Sequence, residues 1–251
     1  MVRLSLSAAL LALALPLAAP AQTTPMTDAE REAFRAEVRA YLMENPEVIF
    51  EAVAEFERRN QEEQASMDAT LVELNAEAIY SDGYSWVGGN PDGDLTLVEF
   101  MDYRCGYCRR AQPQVMQLLE TDGNIRLVVK EFPILGPESE TMSRFAVAVH
   151  QLGGDAAYEV AHERLMAWEG DFFEDDIREL AGELGLNGEE VRAHMTSDAV
   201  DEVLAENAAL ARRLQISGTP TFVMGAGEGG ELLRGFLPLQ AMQDVAQRLR
   251  G

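Results

Sequence analysis

Apolar positions first occur as one block, Leu4 to Ala19, directly behind Arg3. Small residues follow at Ala19 and Ala21 around Pro20, with the spacing a signal peptidase reads. The block is shorter than the roughly 20 residues that cross a bilayer, and Pro16 interrupts it. Residues 1–21 therefore read as a secretory signal peptide cut after Ala21. No later stretch is apolar and long enough to span. The mature chain is expected to be exported, periplasmic and not inserted in the membrane.

Beyond a short polar lead the pattern turns helical. Thr27-Asp28-Ala29-Glu30 has the spacing of a capping box, and Phe34, Val38, Tyr41 and Leu42 recur at helical intervals. Asn45-Pro46 stops that helix and starts another, because proline suits the first helical turn. Val48, Ile49, Ala52, Val53 and Phe56 form the next apolar stripe, and the pattern carries on through Leu71, Leu74 and Ile79. An apolar stripe on a long polar helix docks on something. The partner is either the chain's own globular part or a second copy bound through residues 27–78. Residues 22–79 are thus an N-terminal helical segment.

Tyr80 to Gly93, rich in Gly, Asn, Pro and Asp, reads as a linker. Asp94–Met101 (DLTLVEFM) and Ile125–Phe132 (IRLVVKEF) read as buried strands, with a helix over Cys108–Leu119 between them. Residues from about 138 to 214 are helical in pattern, broken at Gly153-Gly154 and Gly185, with Asn187 and Glu190 capping one helix. Thr221–Met224 and Glu231–Gly235 form a hairpin, and Pro238–Arg250 closes as a helix. The order strand, helix, strand, helical insertion, hairpin, helix predicts an α/β fold over 80–251.

With 251 residues, 43 acidic and 20 basic, the formal charge is −23. That excludes nucleic-acid binding through a broad basic surface and argues against an anionic membrane as partner. The only cysteines are Cys105 and Cys108, too few for a disulfide-stapled miniprotein or a four-cysteine zinc site.

Two cysteines with two residues between them, where a strand meets a helix, can close a small disulfide. If Cys105 heads the helix, the free N–H groups and the positive end of the helix dipole favour its thiolate, making it the nucleophile. Cys108, one turn in and more buried, resolves the mixed disulfide. Arg104, Arg109 and Arg110 flank the pair; they either favour the thiolate or simply solvate a surface helix. A purely structural role is weak because so short a loop constrains the unfolded chain little. Cu(I) binding by the soft sulfurs, aided by methionines, is the reading from another class. No cofactor is expected and no metal ligand is assigned.

Glu99 and Lys130 stand in strands that otherwise read as buried, and buried charges need partners. If the strands are neighbours, the two are expected to pair beneath the cysteines, where Glu99 can take or supply the Cys108 proton. Lys130 is the only lysine in the chain. Gly218-Thr219-Pro220 ends a helix and enters a strand, and its Thr-Pro bond can be cis.

Taken together, LVEFMDYRCGYCRRAQP (97–113), VVKEFPILGPES (128–139) and SGTPTFVMG (217–225) resemble the DsbA-like branch of the thioredoxin superfamily of secreted thiol–disulfide oxidoreductases. The resemblance implies a thioredoxin-like α/β domain with an inserted helical subdomain. It implies Cys105 as exposed nucleophile, Cys108 as resolving thiol and Pro220 as the cis-proline facing them. It also implies Glu99 and Lys130 as the buried acid and lysine, Pro113 as the helix-kinking proline, and Gly106, Tyr107 and the Thr219 backbone as substrate-binding. The block YLMENPEVIFEAVAEFERRNQ (41–61) resembles the helical segment of suppressor-of-copper-sensitivity C-type proteins, in which it can mediate oligomerisation. The implied partners are unfolded or misoxidised exported proteins and a membrane redox partner. Two residues set the expected poise. Gly-Tyr between the cysteines supplies no imidazolium, which implies a weaker oxidant, and threonine precedes Pro220 as in disulfide isomerases. Isomerisation is favoured over oxidation.

Overall fold

A computed structural model describes residues 25–251, so the signal peptide read at 1–21 lies outside the described residues. The chain divides into two compact units that part between Glu57 and Arg58.

Helix α1 spans Asp28–Glu44 and α2 spans Glu47–Leu74. The capping box at Thr27 forms as its spacing predicts: Glu30 N–H donates to Thr27 Oγ1 at 3.3 Å, and Thr27 N–H donates to Glu30 Oε2 at 2.8 Å. Such a box stabilises a helix start by about 1 kcal/mol. Helix α1 buries no residue. Within the first unit Phe34, Val38, Tyr41, Met43, Ile49, Phe50 and Phe56 all remain exposed, Phe50 at 74%.

The second unit is built on one five-stranded sheet. Strands β1 (Trp86–Gly89), β2 (Leu95–Met101), β3 (Ile125–Glu131), β4 (Thr221–Gly225) and β5 (Glu231–Arg234) lie in the order β1-β3-β2-β4-β5. Strands β2 and β3 are parallel, joined by the crossover helix α4 (Gly106–Asp122), and the other pairs are antiparallel. Helix α4 runs through Pro113 and stops at Gly123, whose φ of 71° is the left-handed conformation glycine adopts at little cost. Between β3 and β4 come α5 (Pro137–Met166), α6 (Glu174–Glu183), α7 (Gly188–His194) and α8 (Asp198–Arg213), the inserted helical subdomain. Gly154 breaks α5 with φ 76°, where the paired glycines forecast an interruption. A short α3 (Ala76–Tyr80) precedes the sheet and α9 (Leu239–Arg250) ends the chain.

Side chains alternate across a strand, so the sheet has two distinct faces. Leu95, Leu97, Met101, Leu127, Val129, Phe222 and Met224 pack under α4, α5 and α9. Val98, Phe100, Val128 and Val223 pack on the other side with Val72, Ile79, Leu210 and Leu214. Each such buried side chain contributes about 1.5–3 kcal/mol. The strand β1 falls inside the stretch read as a linker. It is a short edge strand whose glycines serve packing: a Cβ at Gly88 would sit 2.1 Å from the Trp86 ring. That ring stacks on Tyr158 at 5.4 Å and donates from Nε1 to the Asp155 carbonyl at 3.2 Å.

Candidate active site at the head of helix α4

The parallel strand β2 ends at the middle of the sheet, and the chain turns through Asp102-Tyr103-Arg104 into α4. Cys105 is the N-cap of that helix. The turn is held by Asp102, which is wholly buried. Its Oδ1 accepts from Arg104 N–H and Ser139 Oγ, both at 2.8 Å, and its Oδ2 accepts from Ile134 and Leu135 N–H at 2.8 and 3.0 Å. Cys105 N–H donates to the Asp102 carbonyl at 3.0 Å. Arg109 Nε donates to the Tyr103 carbonyl at 2.7 Å, fixing the turn from the helix side.

Both cysteines are free thiols. Cys105 is 7% exposed and Cys108 is fully buried. Cys105 Sγ donates to the carbonyl of Thr219 at 3.2 Å, and the Thr219–Pro220 bond is cis. The structure therefore brings Cys105, Cys108, Thr219 and Pro220 together, with exposed Gly106 and Tyr107 beside them. The first N–H groups of a helix have no carbonyl partner within it, so an anion at the cap position meets them directly. The flanking arginines are engaged in other contacts. Arg104 pairs with Glu138 at 3.1 Å and donates to the Gly170 carbonyl at 2.7 Å, while Arg110 lies 5.2 Å from the Tyr107 ring centroid.

Glu99 lies on the cysteine side of the sheet, almost completely buried, and neither carboxylate oxygen has a hydrogen-bond partner. Burial, reinforced by the charge of Glu131, pushes its carboxyl up to about 8. Burial, then the Glu99 charge, pushes the Cys108 thiol well above its ordinary range. An ionised Glu99 thus opposes ionisation of the Cys108 thiol.

The expected pairing of Glu99 with Lys130 does not occur. The register sets Glu99 opposite Val129 and Lys130 opposite Phe100, so the two charged side chains leave opposite faces of the sheet. Lys130, fully buried on the far face, forms a short ion pair with Asp82 and donates to the Ala78 carbonyl at 2.9 Å. Its ammonium also lies 5.4 Å from the Tyr84 ring centroid. Burial works to raise Asp82, but the Lys130 charge and its hydrogen bond outweigh it and hold that carboxyl below the usual range.

Glu131, the neighbour of Lys130, is buried on the cysteine face and lies outside the site residues expected from the sequence motifs. Tyr103 and Tyr158 hydroxyls donate to its Oε1 at 2.7 and 2.6 Å, and Ser143 Oγ donates to Oε2 at 2.7 Å. Burial pushes this carboxyl up to about 7 against the pull of those hydroxyls. His162, next to Tyr103 at 3.1 Å, is held down to about 4 by burial and stays neutral. The available signal was two consecutive charges in one buried strand, which must face opposite ways. Among the described residues no group of three or more His, Cys, Asp or Glu is placed to hold a metal ion, and no helix is long and apolar enough to cross a membrane.

A C-x-x-C dithiol at the head of a helix, fed by the central strand of such a sheet and facing a cis X–Pro bond, defines a thioredoxin-fold dithiol protein. More closely, the chain belongs to the DsbA-like thioredoxin domain family, whose model matches residues 96–250. Residues 30–63 match the copper resistance protein ScsC N-terminal domain. Among solved structures, a thioredoxin-like oxidoreductase from Silicibacter pomeroyi is 39% identical with a TM-score of 0.63, covering 70% of this chain and 98% of that one. BcfH of Salmonella enterica Typhimurium is 27% identical with a TM-score of 0.73, covering 89% of this chain and 97% of that one. The Na(+)/H(+) antiporter NhaA 1 of Salinispora arenicola is 31% identical over 138 residues, 54% of this chain. The chain spans 21% of the length of that curated relative.

Proposed function

We propose that the chain is an exported, periplasmic thiol–disulfide oxidoreductase acting on other proteins, with rearrangement of wrong disulfides favoured over net oxidation. The observation that carries this reading is Cys105 Sγ at the cap of α4, 3.2 Å from the Thr219 carbonyl, with Cys108 sealed one turn below. The Cys105 thiolate attacks one sulfur of a substrate disulfide. A mixed disulfide forms and the other substrate sulfur leaves as a thiolate. In isomerisation a different substrate thiolate then attacks the substrate sulfur of the mixed disulfide, releasing Cys105 unchanged. When no such thiolate reaches it, Cys108 passes its proton by way of a bridging water to Glu99, whose oxygens have no protein donor, and attacks Cys105. The substrate thiolate leaves with the bonding pair, so the substrate is reduced by two electrons and the enzyme is oxidised.

The Thr219 backbone beside the dithiol suits an extended substrate segment added as a strand, its carbonyl exchanging the Cys105 Sγ bond for one from the substrate, with Gly106 and Tyr107 beside it. Lys130 serves by anchoring Asp82 on the far face. Gly106-Tyr107 places no imidazolium at Cys105, which makes the pair a weaker oxidant, and Thr219 precedes Pro220. The exposed apolar face of α1 and early α2 supports self-association through residues 27–78. Its Phe34, Val38, Leu42 and Ile49 line one groove of 430 Å³.

The test is rearrangement of scrambled ribonuclease by the mature chain. Activity lost in Cys105→Ala supports the reading; activity retained overturns it. Oxidation of reduced ribonuclease without rearrangement assigns the chain to the oxidases. Copper handling, suggested by the family name matched at residues 30–63, predicts stoichiometric Cu(I) binding without refolding activity.

A further inference from the structure

We propose that Glu131 is a positioning residue that acts through Glu99, setting when the buried carboxylate can take the Cys108 proton. The inference rests on the dithiol reading above and concerns its resolving step. The register puts Met101 opposite Glu131 and Glu99 opposite Val129. Glu99 and Glu131 are therefore diagonal neighbours on one face of adjacent parallel strands, the face that carries α4.

The two carboxylates differ in support. Glu131 has a built cradle of three hydroxyl donors, Tyr103, Tyr158 and Ser143. Glu99 has no donor on either oxygen. A cradled carboxylate keeps its charge more readily than a bare one at equal burial. Glu131 consequently ionises first and its charge opposes ionisation of Glu99, in keeping with carboxyls raised to about 7 and about 8 respectively.

Other groups facing Glu131 leave this order intact. Asp102, from the turn after β2, adds negative charge. Tyr103 and Tyr158 are raised well above their ordinary range by burial first and Glu131 second, so both remain donors. His162 is neutral and contributes no compensating charge. Asn207, from α8, donates only to the Glu131 backbone carbonyl at 3.1 Å. Tyr103 lies two residues before Cys105, so the same cradle ties the active-site turn to α5.

The experiment loads Cys105 of the full mature chain with thionitrobenzoate and follows its release by Cys108 in single turnovers across pH. Wild type is expected to show a release rate that rises with pH through the Glu99 ionisation. Glu131→Gln is expected to move that midpoint down by about one pH unit, as removal of one nearby like charge in a low-dielectric site does. In a Glu99→Gln background the same substitution is expected to cause no further shift. A midpoint unmoved by Glu131→Gln, or a shift that persists without Glu99, overturns the inference. Tyr158→Phe provides a second variant that keeps the carboxylate. Loss of one donor makes Glu131 ionise later, so the Glu99 midpoint again moves down; an upward or absent shift counts against the proposal. Release that is equally fast in Cys108→Ser would overturn the dithiol reading itself and is distinguishable from both results.

Discussion

Glu99→Gln is expected to change the pH dependence of stability more than stability itself. The wild-type carboxyl is almost completely buried without a partner and is raised from 4.5 to about 8. A carboxyl raised on folding contributes stability that is fully present below its unfolded value and is lost as pH rises through its folded value. The window therefore runs from 4.5 up to about 8. At about 1.4 kcal/mol per pH unit, the full shift corresponds to a loss of roughly 3–5 kcal/mol across that window. Glutamine has nearly the same shape and carries no charge, so the variant escapes this loss. Glu131 shifts in the same direction and leaves the variant some residual slope. The assay is urea unfolding of the dithiol form at about pH 5 and about pH 9, comparing midpoints at constant m. The variant is expected to be close to wild type at the lower pH and more stable by several kcal/mol at the higher one. An equal difference at both pH values would show that Glu99 ionises freely, and the reasoning about its burial would be refuted.

On the far face, Asp82→Ala leaves the Lys130 ammonium buried against only the Ala78 carbonyl and the Tyr84 ring; it is expected to destabilise by about 3–5 kcal/mol in denaturant unfolding. A Lys130→Met, Asp82→Ala double variant is expected to recover part of that loss, since the stranded charge is gone. In sedimentation, Phe34→Glu with Phe50→Glu is expected to lower the mass of the mature chain to that of a monomer. A wild-type chain already monomeric would remove the self-association reading.

The residue pattern announced the strands DLTLVEFM and IRLVVKEF, the helix that begins at the dithiol and the turn at Thr219-Pro220, because burial and turn chemistry leave local marks. Pairing register leaves none. Glu99 and Lys130 both interrupt apolar runs, which suggests a pair, yet one residue of offset between parallel strands sends them to opposite faces. Asp82, the true partner of Lys130, sits in a stretch whose composition reads only as turn, and so does β1. Glu131 and the hydroxyls of Tyr103, Tyr158 and Ser143 are scattered from 103 to 158 and meet only once α5 folds over the sheet. The alternation rule, applied to adjacent Lys130 and Glu131, does require one of them to face the cysteines.

Two sulfurs divide the labour of exchange, and mixed-disulfide trapping separates their roles. A Cys108→Ser variant incubated with a reduced, unfolded exported protein and oxidant is expected to accumulate a covalent complex that reductant dissolves. Cys105→Ser under the same conditions is expected to accumulate none, because the remaining thiol is fully enclosed. Complexes formed equally by both variants, or through Cys108 alone, would contradict the account.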